Sequence, residues 1–318
     1  MKTQSLGASS LQVPRLGVGA MTWGDPTGLS RLTPAKLAYG GAEGADGEAR
    51  AFEASIAGGV TLVDTAAMYS NGASERRVGQ LARGSEALIS TKFPPGIRST
   101  ADDLPRALDD SLERLERPVV DVYLHHFPSK RVDIRRLMSL MADAVDAGKV
   151  RAVVVSNYSA AQMRTAHAAL AERGIPLAAN QVQYSLLHRS PETDGVLDTC
   201  RELEVTLIAY QPLASGALTG KYLTGPRPRG LRRMMPNFRR SQRESIAKVV
   251  ELLREIGTAH ATGPTQVALR WLIENDSVLP IPGAKNEAQA RTNAEALTFS
   301  LSADEVSALA QATTAWRT

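Results

Sequence analysis

The chain has 318 residues, a formal charge of +4, and 43% hydrophobic and 22% charged residues, a composition typical of globular proteins. No apolar run approaches the roughly 20 residues of a membrane-spanning helix, and the first residues lack a signal-peptide core, so we expect neither segment. The single cysteine, Cys200, excludes an internal disulfide and predicts a buried structural thiol in a reducing, cytoplasmic compartment.

The chain begins with a predicted hairpin and continues as repeated strand–helix units. Residues 3–14 alternate around Gly7-Ala8-Ser9-Ser10, a pattern typical of a small hairpin. Short apolar runs then alternate with amphipathic stretches, and residues 302–313 begin with a capping box that predicts an extra terminal helix. The eight apolar runs are 16–20, 61–64, 87–91, 119–124, 152–156, 178–182, 206–210 and 278–281.

Eight such units predict an α/β fold, a (β/α)8 TIM barrel with an N-terminal β-hairpin and an extra C-terminal helix. A doubly wound sheet is the alternative fold. It would carry a G-x-G-x-x-G turn after its first strand, whereas this chain has only Gly17-x-Gly19 before the pattern ends. No composition shift divides the chain, so we predict one domain over residues 1–318.

Polar side chains follow successive predicted strands at their carboxyl ends. Asp64 and Tyr69 follow the second strand, Lys92 the third, and His125 and His126 the fourth. Each type alone is common as a turn cap, a solvated charge or a structural histidine. Because barrel strands present their carboxyl ends at one face, these side chains together predict a site.

This combination suits carbonyl reduction. A lysine ammonium near Tyr69 would lower the pKa of the phenol and make it an acid–base group. Asp64 would be the partner of the buried lysine, and a histidine would donate a hydrogen bond to the substrate oxygen. Neighbouring histidines diverge and no cysteine cluster is present, so no metal site is expected.

The motifs around these residues resemble those of the aldo-keto reductases. VDTAAMYSNGASE is similar to the V-D-T-A-x-x-Y-G-N-x-x-S-E segment of that family, STKF to its T-K strand, and DVYLHHFP to its D-L-Y-L-x-H-W-P strand. GKVRAVVVSNYS, NQVQYSLLHR and AYQPLASGALTGKY resemble further family segments. These matches run from residue 16 to beyond residue 293, which is nearly the whole chain.

The resemblance implies a TIM barrel that binds NADPH and reduces an aldehyde or ketone. It implies a catalytic tetrad of Asp64, Tyr69, Lys92 and His126, with Tyr69 as proton donor and Lys92 as the residue that tunes it. His126 matches the motif because it directly precedes Phe127-Pro128. The implied cofactor ligands are Ser156, Asn157 and Gln181 at the carboxamide, Tyr210 under the nicotinamide, Gln211, Leu213 and Ser215 at the pyrophosphate, and Gln289 and Asn293 at the adenosine.

Two loops, 22–47 and 214–240, are expected to line the substrate entrance, with Trp23 and Phe127 as aromatic walls. The family often has Ser-Arg where this chain has Lys285-Asn286, so Lys285 is the candidate ligand for the 2′-phosphate that distinguishes NADPH from NADH. Seven arginines between residues 227 and 243 form a basic loop. We consider two roles for it, closure over the bound nucleotide and simple solvation.

Two other functions stay open at the level of sequence. Potassium-channel β subunits share this fold and tetrad while acting largely through partners, so an NADPH-binding redox-sensing scaffold with little turnover is the main alternative. Nucleic-acid binding through the basic loop is a weaker one, since aromatic residues total only 5%. We expect a small-molecule carbonyl substrate, no nucleic-acid or membrane partner, and a monomer or weak homo-oligomer. The NGASE segment after Tyr69 is expected only to turn the chain into its helix.

Overall fold

Eight parallel strands at the centre of the molecule form the nearly closed barrel that the repeated alternation predicts. The computed structural model describes residues 3–25, 43–94, 99–129, 131–225, 228 and 230–318. The barrel strands are neighbours in chain order, and Gly19 pairs with Gly283 where the first strand meets the segment after the last. After the hairpin strands β1 (Thr3–Ser5) and β2 (Gln12–Pro14), the barrel strands are β3 Gly17–Gly19, β4 Leu62–Asp64, β5 Leu88–Phe93, β6 Val120–His125, β7 Val150–Ser156, β8 Leu177–Gln183, β9 Thr206–Tyr210 and β10 Val278–Pro280.

The barrel strands are apolar on both faces because each is covered on both sides. Along β6, Val122 and Leu124 pack inside the barrel, while Tyr123 packs outside it against the helices. In β5, Lys92 pairs with Leu124 of β6, and the strand extends to Phe93, beyond the apolar run 87–91 and beyond Lys92, where it was expected to end. Lys92 is therefore held by the barrel wall and does not lie in a following loop.

Helices surround the barrel in the order that the amphipathic stretches predict. Residues 302–305 form the predicted capping box. Gly148 and Gly174, with φ of 71° and 67°, end helices in the left-handed conformation that glycine favours. The helices are α1 Gly44–Ala57, α2 Ala73–Leu81, α3 Leu104–Leu115, α4 Ile134–Asp146, α5 Ala160–Ala171, α6 Val196–Glu202, α7 Lys221–Thr224, α8 Arg243–Ala259, α9 Pro264–Ile273, α10 Glu287–Ala294 and α11 Ala303–Ala312.

The predicted loop over residues 22–47 differs at its end, because α1 begins at Gly44. Residues 26–42 of that loop lie outside the described residues. The basic loop also contains more structure than predicted, since short 3-10 helices occupy Gly230–Met234, Pro236–Phe238 and Arg240–Gln242. Arg227 and Arg229 are outside the described part of the chain.

The N-terminal hairpin covers the amino end of the barrel. Its side chains Leu6, Leu11 and Val13 belong to the same apolar cluster as the barrel interior. The backbone N–H of Gly7 donates to Thr206 Oγ1, 2.8 Å away, at the first residue of β9. With the amino end covered by apolar side chains, the carboxyl end is where a cavity can open.

Candidate active site

The carboxyl ends of the barrel strands surround a cavity of about 820 Å³. Asp64, Tyr69 and His126 line it, while Lys92 is fully buried behind its wall. Three successive strands thus bring the four predicted catalytic residues to one place, because Asp64 ends β4, Lys92 lies near the end of β5 and His126 follows β6. The carboxyl face of a barrel is where such folds place their chemistry.

Lys92 and Asp64 form an ion pair that is almost completely removed from solvent. Lys92 Nζ lies 2.6 Å from Asp64 Oδ2 and 2.6 Å from the carbonyl oxygen of Thr65. The other carboxylate oxygen of Asp64 accepts hydrogen bonds from Ser90 Oγ at 2.9 Å and from Gln181 Nε2 at 3.0 Å. Burial lowers the pKa of Lys92, and Asp64 opposes that effect. Both oxygens of Asp64 thus have partners, as a buried carboxylate requires.

Tyr69 lies beside this pair, with Lys92 Nζ 5.1 Å from the centroid of its ring. Ser70 and Asn71 adopt left-handed backbone angles, φ of 49° and 53°, so the chain turns sharply after the tyrosine. Burial, and then the charge of Asp64, raise the pKa of Tyr69 well above its ordinary value. The prediction that Lys92 lowers this pKa is wrong for this geometry, because the loss of solvent around the phenol is the larger effect.

His126 completes the group as a neutral imidazole. Its ring lies edge-on to Tyr69 at 5.8 Å and stacks on Phe127 at 4.6 Å. Burial, helped by the charge of Lys92, lowers the pKa of His126 to about 2. Among the described residues His126 Nδ1 has no hydrogen-bond partner. The preceding His125 faces the helices, where its Nδ1 lies 2.8 Å from the Tyr158 hydroxyl. Side-chain alternation along β6 therefore separates the two histidines.

The cavity is also lined by every residue that was predicted to hold a cofactor. Tyr210 donates its hydroxyl hydrogen to Asn157 Oδ1 at 3.0 Å, and Asn157 Nδ2 donates to the carbonyl of His126 at 3.2 Å. Hydrogen bonds thus connect the strand ends on this side of the cavity to the histidine. The ten lining residues are Ser156, Asn157, Gln181, Tyr210, Gln211, Leu213, Ser215, Lys285, Gln289 and Asn293.

Two cations that were not predicted individually, Lys221 and Arg232, line the same cavity. Near them the backbone turns through left-handed conformations at Ser215 and Gly216, with φ of 58° and 89°. Together with Lys285 they give the cavity three positively charged side chains, which suits an anionic ligand. Lys221 lies in the ALTGKY segment quoted above, but its sequence motif does not show that its side chain reaches the cavity.

Trp23 does not form a wall of the cavity, so that prediction is wrong. The side chain is fully buried, its Nε1 donates to the carbonyl of Ala284 at 2.6 Å, and its ring packs edge-on against Phe52. Indole rings are large and apolar with one donor, so a buried site with one carbonyl acceptor satisfies them. Phe127 does line the cavity, and its side chain is 41% exposed. Met68 also lines the cavity and is 47% exposed.

The single cysteine lies outside the lining of this cavity. Cys200 is buried and burial raises the pKa of its thiol to about 12, which matches an inert structural role. Within the described ranges, no three His, Cys, Asp or Glu side chains are grouped to hold a metal ion. Nor is any helix there long and apolar enough to cross a membrane.

Comparison with known proteins agrees with this geometry. The model of the aldo/keto reductase family matches residues 15–314. The aldo-keto reductase str7 of Strobilurus tenacellus is 32% identical over 97% of this chain and 91% of its own. The Schizosaccharomyces pombe aldo-keto reductase yakc, whose name includes NADP(+), is 35% identical over 77% of this chain and 76% of its own. A crystal structure of an aldo-keto reductase from Klebsiella pneumoniae in complex with NADPH superposes with a TM-score of 0.71 at 25% identity, covering 98% of this chain and 95% of that one. The chain therefore belongs to the aldo/keto reductase family of oxidoreductases.

Proposed function

We propose that this protein uses NADPH to reduce an aldehyde or ketone to an alcohol, with Tyr69 as the proton donor. The proposal depends on the positions of Tyr69 and neutral His126, which lie side by side on the cavity wall with their ring centroids 5.8 Å apart. Both are next to the buried Lys92–Asp64 ion pair. When bound, the nicotinamide cofactor supplies the hydride, and the protein has to position the carbonyl and deliver one proton.

The lining of the cavity fits a nicotinamide dinucleotide. Such a ligand needs amide partners, an aromatic surface and cations for its phosphates. Asn157 and Gln181 offer amides, Tyr210 offers a ring, and Lys221 and Arg232 offer charge. Lys285 is our proposed ligand for the 2′-phosphate, because it lies just before the N-terminus of α10, where the helix dipole also favours an anion.

The protonation states suit the reduction direction. Tyr69 has a raised pKa, so its phenol keeps its proton at neutral pH and can donate it to the developing alkoxide. His126, with a pKa of about 2, stays uncharged. A neutral imidazole can donate one hydrogen bond to the carbonyl oxygen without adding a second proton source. In our proposal His126 therefore orients the substrate and Tyr69 completes the reaction.

The test is NADPH oxidation in the presence of a broad panel of aldehydes and ketones, with the Tyr69→Phe variant as the partner measurement. We expect the variant to bind NADPH as the wild type does and to lose about 100- to 10,000-fold in turnover, the usual contribution of a general acid. Wild-type turnover in Tyr69→Phe would contradict the assignment of the acid. Tight NADPH binding without turnover of any carbonyl by the wild type would instead favour the redox-sensing scaffold. A parallel titration with NADH tests the role given to Lys285.

A further inference from the structure

The first turn of α2, which follows the NGA turn after Tyr69, lies against the outer side of the strands that carry Asp64 and Lys92. Ser74 and Glu75 are both fully buried there. Polar and charged side chains are rarely buried to this degree unless they are paired. Both have partners, and those partners are next to the catalytic pair. The sequence predicted that this segment only turns the chain into its helix. Its buried contacts go beyond that prediction.

Ser74 holds the segment that carries the acceptor of the lysine. Its hydroxyl donates to the carbonyl of Ala20 at 2.8 Å and lies 2.7 Å from Thr65 Oγ1. The main-chain carbonyl of the same Thr65 accepts a hydrogen bond from Lys92 Nζ. One serine thus connects α2 to the residue whose backbone oxygen determines where the ammonium lies.

Glu75 holds the strand that carries the lysine itself. Its Oε1 accepts a hydrogen bond from Thr91 Oγ1 and its Oε2 accepts one from Arg114 Nε of α3, both at 2.5 Å. Thr91 directly precedes Lys92 in β5, and their side chains point to opposite faces of the strand. Glu75 is therefore on the outer side of the barrel wall and Lys92 on the inner side.

We propose that Ser74 and Glu75 are positioning residues that clamp Thr65 and Thr91 and thereby fix the catalytic lysine relative to Tyr69. This inference rests on the proposed reductase function. Besides its mechanical role, the Glu75 carboxylate supports the charge of the lysine through the barrel wall. Burial lowers the pKa of Lys92, and Asp64 and then Glu75 oppose that lowering. The titratable groups around Lys92 are Asp64 from β4, Tyr69 after it, Glu75 from α2 and His126 after β6.

A buried carboxylate is a costly way to join α2 to a strand. Well-packed apolar side chains of similar volume usually give equal or better stability than a buried ion pair. The chain nevertheless has a charged residue, Glu75, at this position, and Glu75 accepts a hydrogen bond from Thr91, the residue before Lys92. A role in setting the geometry and charge of Lys92 accounts for that choice, whereas packing alone does not.

The key variant is Glu75→Gln, which keeps an acceptor for Thr91 and removes the charge. Arg114 then loses its carboxylate partner, but its Nη2 still donates to Ser111 Oγ, and its side chain is 24% exposed and can reach water. We expect NADPH affinity and KM to stay close to wild type and kcat to fall by about 10- to 100-fold, the size seen when supporting residues of a site are removed. Thr91→Val breaks the same hydrogen bond with the charge retained, and Thr91→Ser restores it. The expected order of kcat is wild type and Thr91→Ser, then Thr91→Val, then Glu75→Gln.

The matched control is Asp121→Asn, because Asp121 of β6 contacts β5 at the opposite, amino end of that strand. Asp121 is also a buried carboxylate that binds β5, through the backbone N–H of Ile89, and it also pairs with arginines. It is not among the residues that line the cavity. We expect this variant to lose stability and to retain kcat. Equal losses of kcat in Asp121→Asn and Glu75→Gln would overturn the proposal, because the effect would then be one of general stability.

A second measurement needs neither cofactor nor substrate. Lysine labelled with ¹³C at Cε reports the titration of Lys92 by NMR in the free protein, with Lys92→Arg identifying its signal. We expect the Lys92 titration midpoint to be lower in Glu75→Gln than in wild type. An unchanged midpoint together with wild-type kcat would refute the clamp. If the wild type itself reduces no carbonyl, the proposed function fails, and the NMR titration still decides whether Glu75 acts on Lys92.

Discussion

The two ends of β5 are each held by a buried carboxylate, and the contrast between them separates stability from chemistry. At the amino end, Asp121 pairs with Arg151 at 2.6 Å, and the arginine side chain is 53% exposed. At the carboxyl end, Asp64 pairs with Lys92 at 2.6 Å, with side chains only 5% and 0% exposed. A charge that keeps contact with water costs little to bury, whereas removing two charges from water costs several kcal/mol per ion and strengthens their mutual attraction.

Buried carboxylates at the two ends of one strand can therefore serve different purposes. The Asp121 network ties β5 to β6 and β7 near the amino ends of these strands. The Asp64–Lys92 pair lies at the cavity next to Tyr69, with Asp64 in the lining and Lys92 buried behind it. As stabilising interactions the two pairs look alike, although in our proposal only the second acts on the group that transfers the proton.

The largest expected effect comes from replacing the buried Lys92–Asp64 ion pair by two neutral side chains, in the double variant Asp64→Asn and Lys92→Met. We expect turnover to fall by about 100-fold or more, because the acid–base site loses its charges. The free energy of unfolding should stay equal or rise by about 1–4 kcal/mol, since neutral replacements of buried ion pairs are often as stable. Urea unfolding and NADPH oxidation measure the two quantities. A double variant that turns over normally would contradict the role given to this pair.

For Asp121→Asn we expect an intermediate effect, on stability and not on turnover. The amide keeps an acceptor for the Ile89 N–H but loses the ion pairs with Arg117 and Arg151. We expect a loss of about 1–3 kcal/mol in the free energy of unfolding, typical of weakened hydrogen bonds to buried charged groups. Turnover below the unfolding temperature should be unchanged. Stability equal to wild type would show that the solvated end of β5 does not depend on its carboxylate.

The smallest expected effect is in the pH profile of kcat for reduction. Tyr69 must keep its proton, and its raised pKa means that the proton is lost only above the ordinary tyrosine value of about 10. The pKa of His126 near 2 removes any histidine inflection. Lys92 has a lowered pKa, so its charge is lost as the pH rises through a value below about 10.4. We expect a profile without a histidine inflection and with an alkaline fall as Lys92 loses its charge. An inflection near pH 6.5 would contradict the neutral state of His126.

Much of the barrel and the approximate position of the site could be predicted from local patterns. Apolar runs such as 152–156 indicate strands buried on both faces, and the alternation with helical stretches then predicts parallel strands. Because parallel strands share a carboxyl end, Asp64, Lys92 and His126 could be expected to lie together. Trp23 could not be placed in this way, since its burial depends on Ala284 and Phe52, which are distant in the chain.

The electrostatics of the site also could not be predicted. Proximity of Lys92 to Tyr69 was expected to lower the pKa of the phenol, but that expectation ignores the loss of solvent. Burial depends on what packs around a group from other elements, and it raises the pKa here. Glu75 was overlooked for a related reason, because a helix-start Glu is usually a capping residue. Its contacts with Thr91 and Arg114 appear only when α2 packs between β5 and α3.

Local patterns in the amino-acid sequence were enough to predict the order of strands and helices, the family to which the chain belongs, and which polar residues lie at the carboxyl end of the barrel. These follow from periodicity and from motifs, which are local properties. Three properties became visible only in the three-dimensional structure. They are the burial of the Lys92–Asp64 pair, the reach of Lys221 and Arg232 to the cavity, and the hydrogen bonds that join Ser74 to Thr65 and Glu75 to Thr91. Those properties depend on distances between residues far apart in the chain and on the exclusion of water, which arise when the helices pack against the barrel.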